Sequence, residues 1–382
     1  MANSVKDDFD PVTLEIFWSR LISIADESAA ALLRTSFSTI VRESNDFGTV
    51  LMDANGDSLS ENTGGIPSFA GILPTTLKHF LVKYPKETWK PGDCVITNDP
   101  WLATGHLPDI TMCMPVFRND ELVGFSGSIA HSPDIGGSLW SADCREIYEE
   151  GLCIPPIKFL QEGQPNQDVE EIILGNVRLP DQVLGDLNAQ VTANKVCGRR
   201  LLEFLEDSDL ADLSRLSTAL QGRAEMAMRH AIEEVPDGVY HSSLDADGFD
   251  EDETHLECTI TVKGSDLKID YEGTSKQIHR GLNTVMNYTQ AYSAYPVKCA
   301  LDPYTPRNEG SYRPIDVVAP VGSILNPRYP APCNARQLTG HLLAGVIYGA
   351  LAQAVPEKII ADSGSAPSMR AVFSGNDPLG NR

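Results

Sequence analysis

Two short segments hold most of the residues able to do chemistry. Gly105-His106-Leu107-Pro108-Asp109 is followed, beyond a predicted hairpin, by Ala130-His131-Ser132-Pro133-Asp134-Ile135-Gly136-Gly137. Two imidazoles and a carboxylate suit a catalytic divalent metal ion, which takes three protein ligands and keeps a position open for water. The alternative is that both histidines only hydrogen-bond backbone at strand ends, and spacing does not choose between the two. Two further polar clusters, Arg42-Glu43-Ser44-Asn45-Asp46-Phe47-Gly48 and Thr97-Asn98-Asp99-Pro100-Trp101, flank predicted strands, where loops would rise above a sheet edge. Asn, Asp and Gly favour such turns for conformational reasons alone.

The hairpin supplies a physical reason for the spacing. Strands Ile110 to Phe117 and Leu122 to Ala130 are predicted to meet at Arg118-Asn119-Asp120-Glu121, so Asp109 and His131 finish at the same sheet end. A three-residue loop, Asn119 to Glu121, would set the two directly opposite, with Cβ atoms about 5 Å apart. A two-residue loop would turn them to opposite faces, and shared ligation would then need a bulge or an irregular strand end. His106, beyond Pro108, must fold back from a loop.

The surrounding elements follow from periodicity. Asp10 as N-cap, Pro11 at the first helical position, and Leu14, Phe17, Leu21, Ile24, Ser28 and Leu32 at helical spacing predict an amphipathic helix from Asp10 to about Phe37. Further helices are expected over Pro180 to Leu205 and roughly Asp209 to Glu234, and a buried one over Leu342 to Val355. Short runs at Gly48 to Met52 and Cys94 to Thr97 read as strands, and Cys258 to Lys263 with Leu267 to Tyr271 read as a hairpin around Gly264-Ser265. Strands paired through short turns and helices grouped together favour α+β, with mainly antiparallel sheets packed against a few long amphipathic helices. The turn-rich Val235-Pro236-Asp237-Gly238 marks an expected boundary. It separates residues 1–235, a metal-bearing domain with the N-terminal helix and central strands, from residues 236–382, a hairpin-rich region with helices. The end at Pro378-Leu379-Gly380-Asn381-Arg382 shows no helix stop or strand closure, so the chain reads as truncated there.

Composition narrows the partners. With 53 acidic against 30 basic residues, the net charge of −23 repels phosphate backbones and anionic lipid, so neither nucleic acid nor a membrane is expected. No apolar stretch reaches the roughly 20 residues of a membrane-spanning helix. The polar, acidic N-terminus lacks a secretory pattern, and eight cysteines without a CxxC pair read as reduced thiols, which together point to the cytoplasm. Ser132 and Ser138 lie near His131, but no Gly-x-Ser-x-Gly elbow accompanies them, which makes a serine hydrolase the weaker alternative.

Many motifs taken together resemble the hydantoinase B/oxoprolinase family. They are Glu43-Ser44-Asn45-Asp46-Phe47, Gly92-Asp93 to Asn98-Asp99-Pro100, Gly105 to Asp109, His131 to Gly137, Glu146-Ile147-Tyr148-Glu149-Glu150-Gly151 with Ile154-Pro155-Pro156, and Gly185-Asp186-Leu187. The likeness continues through Gly273-Thr274-Ser275, Asn283, Leu301-Asp302-Pro303, Arg313-Pro314 and Gly349-Ala350-Leu351-Ala352-Gln353, in order over nearly the whole chain. The family usually continues further, with a glycine-rich segment absent here.

The resemblance implies ATP-coupled opening of hydantoins, 5-oxoproline or lactams, or carboxylation of acetone or acetophenone. It also implies a divalent metal, Mn, Zn or Fe, on His106, Asp109 and His131. Asp99 and Asp46 become candidates to accept a proton or orient the nucleophile. The chain has no Gly-x-x-x-x-Gly-Lys phosphate loop. ATP is therefore expected on a hydantoinase A-type partner that phosphorylates the small-molecule substrate, which makes the protein part of a hetero-oligomer. A non-catalytic assembly subunit is the remaining alternative, marked by a metal closed by a fourth ligand such as Asp134.

Overall fold

The computed structural model describes residues 9–138, 141–249 and 252–361. Helix α1 (Pro11–Thr35) begins where its cap residues place it, with an Asp10 carboxylate oxygen accepting from Val12 N and Thr13 N at 3.1 Å. Its buried stripe is Leu14, Trp18, Leu21, Ile24, Ala25, Ser28, Ala29 and Leu32. Trp18, and not the expected Phe17, points inward, and Phe17 packs edge-on against Phe204 at 5.5 Å. Helix α2 (Thr39–Ser44) stops at Asn45, whose left-handed φ of 53° turns the chain into the first sheet.

That sheet is built from β1 (Phe47–Asp53), β2 (Ser58–Glu61), β3 (Cys94–Thr97), β4 (Asp109–Arg118), β5 (Glu121–His131), β6 (Ile157–Gln161) and β7 (Gln164–Pro165). Its order is β2-β1-β5-β4-β3-β6-β7, antiparallel at each pairing. Helix α3 (Pro67–Lys83) covers one face, over Val50, Met52, Val95, Cys113, Phe125 and Ile129. On the other face, Leu51, Val116 and Val123 pack with α1, α5 (Pro180–Asp207) and α6 (Ser214–Glu233), while α4 (Gln167–Gly175) lies against α5. Because both faces are covered, β1 is buried at every position and reads as a continuous run instead of an alternating one. Helix α6 starts later than the expected Asp209. Asp209 sits at φ 51°, and Asp212 accepts Ser214 N at 2.7 Å in a turn before the helix.

The central hairpin takes the two-residue form. Asn119 and Asp120 both have positive φ, and Arg118 pairs with Glu121. A bulge follows: Phe117 faces Leu122, but Val116 faces Gly124, so Val123 is the extra residue. Gly124 permits it, since a Cβ there would stand 2.7 Å from the Met52 carbonyl oxygen. The bulge changes the pairing parity and brings Asp109 opposite His131, where an unbroken ladder would have paired Asp109 with Ala130.

The second sheet comprises β8 (Gly238–Phe249), β9 (Asp252–Lys263), β10 (Asp266–Asp270) and β11 (Ile315–Val318), in the order β11-β10-β9-β8. The Gly264-Ser265 hairpin forms as expected, with Lys263 opposite Asp266. The β10–β11 pair is parallel, a departure from the antiparallel pattern that the crossover through α7 (Met286–Leu301) and α8 (Glu309–Tyr312) makes possible. After the short α9 (Gln337–Gly340), α10 (Leu342–Leu351) packs on β8 and β9, while α7 also packs on α3 beneath the first sheet. Among the described residues no helix is long and apolar enough to cross a membrane. The chain end read as truncated lies outside the described residues.

Candidate metal centre

The end of the β4–β5 ladder is a buried polar corner of the first sheet. Asp109 and His131 face each other across it, and the chain entering β4 folds back so that Ser132 N donates to Pro108 O at 2.7 Å. The returning loop is pinned by Asn98, whose Nδ2 donates to Leu107 O at 2.7 Å and Leu152 O at 2.9 Å while its Oδ1 accepts Ile154 N at 2.6 Å. Gly105, at φ +90°, makes room for Arg336: a Cβ would lie 2.9 Å from Arg336 Cδ and from Val285 Cγ2. His106, Asp109 and His131 thus converge, all buried, with one potential ligand atom from each within 4.8 Å of the others.

The electrostatics are specific. Asp109 Oδ1 stands 2.9 Å from His106 Nε2 and 2.8 Å from His131 Nδ1, and its Oδ2 accepts from Arg336 Nη2 at 2.6 Å. Arg336 is itself buried, stacks over the Tyr288 ring at 4.3 Å and donates Nε to Thr104 O at 2.5 Å. Burial works against the charge on Asp109, but the Arg336 charge and the His131 hydrogen bond oppose it, and the carboxyl is held well below its usual range. Burial, and then the Arg336 charge, push His106 down to about 4.

These facts test whether the corner fits a cation. His106 Nδ1 is 3.2 Å from the Asn334 carbonyl oxygen, which can only accept, so the neutral ring carries its proton on Nδ1 and a lone pair on Nε2. That lone pair faces the Asp109 carboxylate, and Nε2, fully buried, makes no hydrogen bond. Two opposed lone pairs in a dry corner are unfavourable unless a cation lies between them. A backbone carbonyl orienting the far ring nitrogen is also the usual support of a metal-ligating histidine. The donor set fits a divalent ion.

Of the other residues singled out in the sequence, Asp46 comes to the trio. Its carbonyl oxygen accepts His131 N at 3.0 Å and its Oδ2 lies 3.8 Å from His131 Nδ1. Burial and the nearby Asp109 charge raise its pKa. Asp99 stands in a turn instead, its Oδ1 accepting Trp101 N at 3.0 Å, and burial raises its pKa as well. Asp134 is committed elsewhere, accepting Gly136 N at 2.9 Å, Leu179 N at 3.1 Å and Arg178 Nη1 at 3.0 Å. It therefore does not supply the fourth ligand that would close the metal. Arg336 and Asn334 gave no sequence signal. Each lies more than 200 residues from the histidine motif, and nothing local distinguishes a lone Arg or Asn that folding will bury against it.

Comparison with known proteins adds relatives to this geometry. Residues 10–382 match the hydantoinase B/oxoprolinase family model. A protein described as the B-type subunit of a D-/L-hydantoinase, from a Pseudomonas species, is 35% identical over 96% of this chain and 65% of its own length. The beta subunit of the Pseudomonas jessenii caprolactamase is 30% identical over 97% of this chain and 64% of its own. The crystal structure of the ATP-dependent caprolactamase from Pseudomonas jessenii superposes with a TM-score of 0.84 at 29% identity, covering 92% of this chain and 61% of that one. A nucleotide-free acetone carboxylase structure gives a TM-score of 0.82 at 17% identity over 91% of this chain and 48% of that one, a likeness of fold. The chain spans about two thirds, 65% and 64%, of the length of these two curated relatives.

Proposed function

This chain belongs to the hydantoinase B/oxoprolinase family, and we propose on that footing that it is the metal-carrying subunit of an ATP-dependent enzyme that opens a cyclic amide. His106, Asp109 and His131 hold one divalent ion, Mn, Zn or Fe. The observation that carries this reading is the buried His106 Nε2, aimed at Asp109 Oδ1 from 2.9 Å without a hydrogen bond. An ion held there supplies Lewis acidity, polarising a carbonyl or phosphoryl oxygen and making water more acidic. Arg336 keeps Asp109 ionised and in place. Asp46, 3.8 Å from His131 and with a raised pKa, takes the proton from the attacking water at its carboxylate. The Asp99 bond to Trp101 N supports a role in shaping the loop that leads to His106.

A relaxed lactam or hydantoin resists hydrolysis, and phosphorylation of its carbonyl oxygen creates a leaving group. ATP use belongs to a partner subunit of the hydantoinase A type, since this sequence carries no phosphate loop. The buried corner would shield the activated substrate from bulk water. Relatives named as subunits of a hydantoinase and a caprolactamase favour amide opening over ketone carboxylation, for which only a likeness of fold speaks.

The test is to purify the chain with its partner and follow phosphate release on hydantoins, lactams, 5-oxoproline and ketones, with and without bicarbonate. Ring substrates should drive ATP hydrolysis, about one metal per chain should be present, and His131→Ala should lose the metal and at least ~10³-fold in turnover. Full metal content and turnover in His131→Ala, or ring opening by the isolated chain without ATP, would sink the reading.

A further inference from the structure

Residues 333–336 bear on the trio from outside: the Asn334 carbonyl orients His106, and the Arg336 guanidinium holds Asp109. One side chain fixes that segment. Glu150 follows the short turn Ile147–Glu149 and is 1% exposed. Its Oε1 accepts both Cys333 N, at 2.6 Å, and Asn334 N, at 2.8 Å. Its Oε2, equally buried, has no hydrogen-bond partner. The turn is itself held close, because Gly137, at φ +52°, lies where a Cβ would be 2.3 Å from the Glu150 carbonyl carbon, and Ile147 N donates to Pro330 O at 3.0 Å.

A buried carboxyl is costly unless it secures something, and here it secures two backbone N–H groups beside the metal corner. We propose that Glu150 is a positioning residue, which never touches the reacting atoms but aims His106 and Asp109 by clamping residues 333–336 against them. The inference rests on the reading that those two residues ligate a metal. Without the clamp the Asn334 carbonyl is free to leave His106 Nδ1, and the Nε2 lone pair loses its direction. The task needs one acceptor oxygen and no charge. Burial pushes the Glu150 carboxyl up to about 8, in keeping with a neutral acid serving there.

The experiment titrates the complex of chain and partner with Co²⁺, reading the visible absorption of the bound ion and its affinity by chelator competition. Glu150→Ala should weaken Co²⁺ binding about 10- to 100-fold and alter the band, whereas Glu150→Gln should stay within about threefold of wild type. Glu150→Asp retracts the acceptor by one methylene and should also weaken binding, which keeps the test open if the alanine variant does not fold. Wild-type affinity in a folded Glu150→Ala or in Glu150→Asp overturns the proposal, as does a glutamine variant as weak as alanine. His106→Ala separates the two levels. If it binds Co²⁺ like wild type, the metal reading itself fails and takes this inference with it.

Discussion

Two clusters in this protein contain the same kinds of side chain and behave in opposite ways. At the end of the first sheet, His106, Asp109 and His131 are buried together. On the second, His255 on β9 lies opposite Asp245 on β8, its Nδ1 2.6 Å from Asp245 Oδ1 and its Nε2 3.2 Å from Glu257 Oε2. Hydrogen bonds to those two carboxylates raise the His255 pKa, whereas burial and Arg336 lower that of His106. The Asp245 side chain is 85% exposed, so water competes for every contact there. A histidine between acids on a wet strand is thus an ion pair, and a neutral histidine facing a charged carboxylate in a buried corner is the arrangement on which the proposed cation site rests. Burial and one guanidinium make the difference.

The largest test of that contrast removes the guanidinium. Arg336→Met leaves the Asp109 charge buried without its partner and should destabilise the metal-free protein by about 3–5 kcal/mol in denaturant unfolding. Loading a divalent ion should recover part of the loss. Equal stability of variant and wild type without metal would show that the corner is wetter than its burial implies.

A smaller effect separates the two loop carboxylates. Asp46→Asn should leave metal content intact and cut turnover about 10²-fold, in the range of a lost general base. Asp99→Asn keeps an acceptor for Trp101 N and should change turnover severalfold at most. A reversed order in steady-state kinetics of the complex would exchange their roles.

The smallest effect belongs to the exposed cluster. His255→Gln should cost at most about 1 kcal/mol, since solvent screens exposed pairs. The sign follows from its raised folded pKa: the contribution is complete below the unfolded value near 6.5 and fades as pH rises through the folded one. Unfolding curves of wild type and variant should therefore differ at pH 5.5 and converge as pH rises through the raised folded pKa. A difference that grows with pH would contradict the ion-pair account.

Local chemistry made much of this molecule readable from its residues. Asp10 and Pro11 start α1, Gly264-Ser265 turns β9 into β10, and the short run Gly48 to Met52 reads as the strand it forms in β1. Helix α3 was not legible, because Pro74 interrupts its pattern, and neither was most of β8, whose polar alternation sits on the open side of the second sheet. The candidate site divides in the same way. The sequence by itself determined the types of the three candidate ligands and the sheet end to which they return, since both depend on nearby residues and a turn. It left open which face they share. That was decided by the bulge at Val123, where Val116 and Val123 join the core beneath α1 and α5 and Gly124 fits beside the Met52 carbonyl. Only the tertiary structure brought Arg336, Asn334 and Glu150 to the corner, for no periodicity links residues that distant. Their contribution, the dry environment that sets which groups are charged, exists only once the chain has closed around it.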